Sequence, residues 1–295
     1  MNLSKIFKLI TRKMNDEMYL RIAFRIIMKR KLDLKNPKTL NEKIQWLKLN
    51  NRNPMLTSYV DKFKVKNIIA ELIGEQYIIP TLGVWKKFED IDFSKLPNQF
   101  VLKCNHDSHS VVICKDKSKF DYKYAKNRLE AALKKNYFWH GREWAYKNVE
   151  PLIIAEQYMV DNNTSEELTD YKFFCFRDYV DSVMVCYNRE AGEPKYYFFD
   201  KNWNLLRDYN RQGKEAPKDF YKEKPINFEK MCELASVLSM ATQVPFVRVD
   251  FYNINGNPYF GELTFSPTNG LDYNLLYDTD LHFGKLIDLS LIKDQ

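Results

Sequence analysis

The chain has 295 residues, 45% of them hydrophobic and 29% charged, with a formal net charge of +7. That balance suits a globular body of one or two lobes and excludes a fibrous or disordered chain. No stretch reaches the roughly 18 consecutive apolar residues of a membrane-crossing helix, and the start lacks the apolar core and cleavage site of a secretory signal.

The first segment, "MNLSKIFKLITRKM", concentrates Lys5, Lys8, Arg12 and Lys13 beside Leu3, Ile6, Phe7 and Ile10 at helical spacing. It reads as a short basic amphipathic helix that packs on the body or touches an anionic membrane surface. "DEMYLRIAFRIIMKRK" is helical through Leu20, Ala23, Phe24 and Ile27. "TLNEKIQWLKLNN" follows with Thr39 as cap and Glu42 three positions on. "TSYVDKFKVKNIIAELIG" reads as one further helix ending near Gly74.

Strand signals begin at "QYIIPT" and continue in "FVLKC" and "VVIC", which flank the polar connection Asn105 to Ser110 and form a hairpin. Helical "YKYAKNRLEAALKKN" and tryptophan-rich "YFWHGREWAY" precede the strand "LIIAEQYM". "DYKFFCF", "VDSVMVCYN" and "KYYFFD" then read as an antiparallel meander. The helix "FEKMCELASVLSMAT" leads to a last hairpin, "VPFVRVDFYNINGNPYFGELTFSP". The expected class is α+β.

Five cysteines without CxxC spacing, Cys104, Cys114, Cys175, Cys186 and Cys232, read as buried thiols in a reducing cytoplasm and argue against zinc. His106, His109 and His140 lack neighbours at metal-ligand spacing, and Cys104 lacks a histidine base. No RNP or GXXG sequence points to RNA.

The last hairpin carries the densest chemistry. Val247, Val249 and Phe251 alternate with Arg248, Asp250 and Tyr252, and Glu262 and Thr264 lie on the return strand. Asp250 and Glu262 share a face if the loop has an odd number of residues, and oppose each other across the sheet if the turn is the two-residue Asn255-Gly256. An odd loop is expected. Two facing carboxylates repel, so a cation belongs between them: magnesium, a hard ion suited to carboxylates, phosphates and water, or Arg248 in a structural ion pair. Lys103, the polar loop with His106, Ser108 and Ser110, and the carboxylate pair are the parts that hold a nucleotide triphosphate. Glu156 and Tyr158 sit where a strand exit meets an adenine edge or ribose. Asp170 and Lys172 add an acid and a base at another strand start.

Lys62 in "YVDKFKVKNII", Lys103 with "NHDSHS", Glu156 in "IIAEQY", "DYKFF" and "RVDFY…YFGELTF" stand in the order of the ATP-grasp superfamily, and the wording resembles its TupA-like branch. That resemblance implies two α+β lobes gripping a nucleotide. A helical region over 1–57 would precede a first lobe over 58–155, with the phosphate-covering hairpin, and a second over 156–295, with the metal-binding hairpin. It implies ATP and Mg2+ as cofactors, and Lys62 and Lys103 on the phosphates. Asp250 and Glu262 would be on the metal, with Thr264 or Asn269 near, and Arg248 would steady an acylphosphate or the acceptor. The implied reaction is carboxylate–amine ligation with release of ADP and phosphate. Its expected partners are an amine or amino acid and a small or lipid-linked acidic saccharide of capsule or lipopolysaccharide assembly.

Three features depart from the pattern: His109 where many relatives have glycine, Thr264 where asparagine is frequent, and a helical lead too short for a complete α/β domain. A second reading, a glycosyltransferase using a nucleotide sugar, rests on "DTD" at Asp278 to Asp280 in a terminal loop. A third is a non-catalytic nucleotide-binding or membrane-associated module.

Overall fold

Alternation of apolar and polar residues in the second half builds the larger of two antiparallel sheets. The computed structural model describes residues 12–162, 168–187 and 194–292, so the basic segment before Arg12 lies outside the described residues. Among these, nine helices occur: α1 (Asp16–Met28), α2 (Leu40–Asn50), α3 (Met55–Val60), α4 (Lys64–Ile73), α5 (Tyr122–Leu133), α6 (Phe138–Gly141), α7 (Arg211–Lys214), α8 (Phe228–Thr242) and α9 (Tyr277–Leu286). The strands are β1 (Thr81–Trp85), β2 (Phe100–Cys104), β3 (Val112–Cys114), β4 (Ile153–Gln157), β5 (Asp170–Phe176), β6 (Tyr179–Tyr187), β7 (Lys195–Phe199), β8 (Val247–Ile254) and β9 (Asn257–Thr264). They pair in the orders β1-β4-β2-β3 and β7-β6-β5-β8-β9.

Local signals account for several boundaries. Thr39 and Glu42 close a reciprocal capping box at the start of α2, which satisfies two otherwise orphaned backbone donors. Two expectations need correction. The single helix expected across residues 57–74 breaks at Asp61, whose carboxylate accepts from the Phe63 and Lys64 amides and so starts α4 anew. The start of "QYIIPT" belongs to a 3-10 turn, Glu75–Tyr77, and the strand begins only at Thr81.

The small sheet packs Phe100, Leu102 and Cys104 against Leu129 of α5. In the large sheet, Phe173, Val249 and Phe251 meet α8 through Phe228 and Leu238. Val65 and Ile69 of α4 join the same core, so α4 couples the first half of the chain to the second sheet. The opposite face is divided along its length. One end is apolar, with Phe174, Phe176 and Phe246 under Leu40 and Ile44 of α2 and Phe283 of α9; the other end carries the charges.

Candidate active site

Lys172, Asp250 and Glu262 stand in one row across β5, β8 and β9, and Phe174, Arg248 and Thr264 form the next. The turn between β8 and β9 has only two residues, Asn255 and Gly256, contrary to the odd loop expected. A bulge restores the common face: pairing runs regularly to Phe251–Phe260, skips Gly261 and resumes at Asp250–Glu262. Glycine suits the bulge, because a Cβ at Gly261 would lie 3.1 Å from the Asp250 carbonyl oxygen.

The cation between the two carboxylates is Arg248. Its Nε donates to Asp250 Oδ1 at 2.6 Å, and its Nη2 donates to Asp250 Oδ2 at 2.5 Å, Glu262 Oε1 at 3.1 Å and Thr264 Oγ1 at 3.0 Å. Lys172 donates to the same Asp250 Oδ2 at 2.7 Å and bonds Asp170. Burial pulls the Lys172 pKa down, but Asp250 and Asp170 outweigh it and hold the ammonium charged. On Glu262 burial pushes upward, yet Lys62, Arg248 and Lys172 prevail and bring its pKa to about 2. Three cations thus face three carboxylates.

Lys62 bridges the two sheets. Its Nζ donates to the Asp107 carbonyl at 2.7 Å and lies 3.7 Å from Glu262 Oε2. Beyond it, Glu156 takes Lys103 on Oε2 and Lys66 on Oε1, each at 2.6 Å. Burial would raise the Glu156 pKa, but the two lysines lower it. Lys66 also donates to the Ile79 carbonyl and Thr81 Oγ1, both at 2.8 Å, and so fastens the entry of β1 to α4. Lys66 and Lys103 thus meet on one carboxylate of the small sheet while Lys62 reaches the large one, point charges of the kind that suit phosphate oxygens.

The profile of a family described as TupA-like ATPgrasp matches residues 42–288. The chain belongs to the TupA-like ATP-grasp family. No curated protein matches it at a significant level. Among solved structures it is similar to D-alanine–D-alanine ligase from Bacillus anthracis complexed with ATP, at 17% identity and a TM-score of 0.45, over 81% of this chain and 65% of that one. It is also similar to L-amino acid ligase from Bacillus licheniformis, at 15% identity and a TM-score of 0.48, over 87% and 57%. A third is D-cycloserine synthetase, at 14% identity and a TM-score of 0.44, over 79% and 70%. The chain spans less than two thirds of the length of the first two.

Within this TupA-like ATP-grasp chain the polar loop is largely occupied with building its own turn. Asn105 donates to Asp61 and to the Glu150 carbonyl and accepts from the Leu152 amide. The His106 ring meets the Ala132 and Lys135 carbonyls at the end of α5, at 3.2 and 3.1 Å, so its buried side chain is turned from the lysines rather than toward phosphates. Ser110 Oγ accepts from the Cys104 amide and donates to Asp107. Of the loop residues expected on phosphates, Ser108 keeps its exposure, with the Tyr137 hydroxyl donating to it at 3.3 Å. The His109 carbonyl accepts from Arg128 Nη2 at 2.6 Å. Tyr158 sits half-buried just past the end of β4.

The oxygen donors of Asp250, Glu262 and Thr264 are of the type magnesium takes, but as arranged they do not fit the ion, because the Arg248 guanidinium fills the position between them. Among the described residues no group of three or more His, Cys, Asp or Glu side chains forms a metal cage. The "DTD" triplet lies in the first turn of α9, not a loop. Asp278 is exposed, while Asp280 is buried, accepting from Arg30 at 2.7 Å and from the Asn41 amide at 2.9 Å. The two acids face different surroundings and share no ligand position.

Sequence reasoning missed Lys66, four residues after Lys62 in "DKFKVK"; Lys62 lies in the turn before α4 and Lys66 in its first turn, so helical spacing does not by itself pair them. It also missed Glu143, buried in the tryptophan-rich segment. That segment anchors α1: Arg142 is buried with its guanidinium 4.4 Å from the Trp139 ring and 4.8 Å from the Tyr19 ring. No helix among the described residues is long and apolar enough to cross a membrane.

Proposed function

We propose that the protein is an ATP-dependent carboxylate–amine ligase, with a first lobe over residues 58–155 and a second over 156–295, the boundary falling within β4 of the small sheet. The observation that supports this most is a pair of charged clusters, Lys103 and Lys66 on Glu156 and Lys62 and Arg248 on Glu262 and Asp250, in a chain of the ATP-grasp family. A carboxylate is a poor acyl donor at neutral pH. Transfer of the γ-phosphoryl group to its oxygen expels ADP and creates a leaving group that an amine can displace as phosphate.

Lys62 and Lys103 would offset charge on the phosphates as it redistributes. Arg248, able to offer two parallel donors, would release part of its hold on Glu262 and Thr264 to take an acylphosphate oxygen. Asp250 and Lys172 keep the guanidinium in register. The family generally employs ATP with Mg2+; no step here runs through the ion. The acid substrate we propose is a uronic-acid-like sugar of surface polysaccharide assembly, and the site would face the cytoplasm.

The test incubates the purified protein with Mg-ATP, pooled uronic acids and amines, and follows ADP, AMP and nucleotide sugars by mass spectrometry. ADP, phosphate and an amide-mass product, lost in Lys103→Met and Asp250→Asn, are expected. ATP left intact with every acceptor, together with consumption of a nucleotide sugar, would overturn the reading.

A further inference from the structure

Just past the row of Arg248 and Thr264 come Phe246 and Ser266, and beside them lies a cavity of about 40 Å3. It exceeds the roughly 10–15 Å3 that one water requires. Its walls include Leu56 and Phe265 and two buried charges, Lys48 from α2 and Glu143 from the turn after α6. By strand geometry it lies about 7 Å along the sheet from Arg248.

The two charges are unequally satisfied. Lys48 Nζ donates to the Asn269 carbonyl at 2.6 Å, the Gly141 carbonyl at 2.9 Å and Gln45 Oε1 at 3.3 Å, which uses all three of its hydrogens. Glu143 is hydrogen-bonded to Ser266, and no lysine or arginine among the described residues reaches ion-pairing distance of it. A buried carboxylate without a bonded cation is costly unless something positive arrives to meet it.

We propose that Glu143 is the amine-recognising carboxylate of the ligase, binding the acceptor's ammonium head in this cavity, taking one proton from it and presenting the free amine toward Arg248. This rests on the ligase reading. The ammonium gives a proton to the Glu143 carboxylate. The nitrogen lone pair then forms the C–N bond, the bond from carbonyl carbon to phosphate oxygen breaks, and phosphate leaves with the electron pair and takes up the second N–H proton. The cavity's size and apolar walls select a primary amine whose first carbons are unbranched and uncharged. Burial pushes the Glu143 pKa up to about 7, with Glu262 adding to the rise and Lys48 and Lys62 opposing it; Tyr146 and Tyr137 are further titratable groups within its reach.

The experiment compares two nucleophiles with the uronic acid pool and Mg-ATP: ethylamine, which enters as a cation, and hydroxylamine, which is neutral near pH 7. In Glu143→Gln the KM for ethylamine is expected to rise by at least about tenfold, the loss of one charge-assisted hydrogen bond, while hydroxamate formation falls far less and Glu143→Asp recovers part of the loss. Independently of turnover, ethylammonium chloride is expected to raise the melting temperature of the wild-type protein above that in potassium chloride of equal ionic strength, and not that of Glu143→Gln. Equal loss with both nucleophiles, or no loss with ethylamine and no ethylammonium-specific shift, would overturn the assignment. Wild-type protein that makes neither product would overturn the ligase reading itself.

Discussion

Asp250 and Glu262 face each other directly on β8 and β9 although the turn joining those strands is an even one. One extra residue, Gly261, rotates the end of β9 by half a period and brings Glu262 and Thr264 onto the face of Arg248. A side chain at the bulge is the test, because a Cβ at Gly261 would crowd the Asp250 carbonyl oxygen at 3.1 Å. Gly261→Val is expected to lower both the melting temperature and ATP turnover. A Gly261→Val variant with the wild-type melting temperature and turnover would show that the bulge does not set the site.

Arg248 neutralises Asp250 inside the sheet, so its removal leaves a buried carboxylate with Lys172 alone. Arg248→Met is expected to lose about 3–5 kcal/mol in urea unfolding, the range for breaking a buried pair from one side. Arg248→Lys keeps the charge but not the forked donors and should recover stability without recovering ligation. Equal activity of Arg248→Lys and wild type would refute the role given to the guanidinium.

Lys66 shares Glu156 with Lys103 and ties α4 to β1. Lys66→Met should free the Glu156 Oε1 oxygen and leave Lys103 as its sole partner, drawing that ammonium more firmly to the carboxylate. The expected result is weaker nucleotide binding by about fivefold to tenfold in calorimetric titration, corresponding to about 1–1.4 kcal/mol. Unchanged nucleotide affinity would reduce Lys66 to a strut.

Stability should depend on pH in three windows. The folded pKa of Glu143, about 7, is above its ordinary value, so the folded state binds more protons and stability falls as pH rises from the usual carboxylate range to about 7. Lys48 is lowered to about 8 by burial, with Glu143 opposing; its cost is full below pH 8 and is relieved as pH climbs toward the ordinary lysine value. Glu262, brought to about 2, contributes stability above the usual carboxylate range that is lost as pH falls toward 2. Glu143→Gln should flatten the decline in melting temperature between pH 5 and 7, as about two scans per unit of pH would reveal; a decline as steep as that of wild type would place the titration elsewhere.

What neighbours in the chain can specify was legible in the sequence. The capping box of Thr39 and Glu42, the alternation from Val247 to Tyr252 and the hairpin around Lys103 depend on backbone periods and on groups three or four residues apart. The order of Lys62, Lys103, Glu156, Asp250 and Glu262 indicated the family. Tertiary structure alone decided the rest. The bulge at Gly261 and the turning of His106 onto the end of α5 are each set by contacts formed only on folding. The meeting of Lys66 with Glu156 brings residues 90 positions apart into contact, and the Glu143 cavity gathers α2, the turn after α6 and the end of β9. Period and propensity choose which face a side chain takes within its own element. Which charge it then meets depends on the register and packing of segments distant in sequence, because a buried ionic group is stabilised by the partners that folding brings within hydrogen-bonding reach.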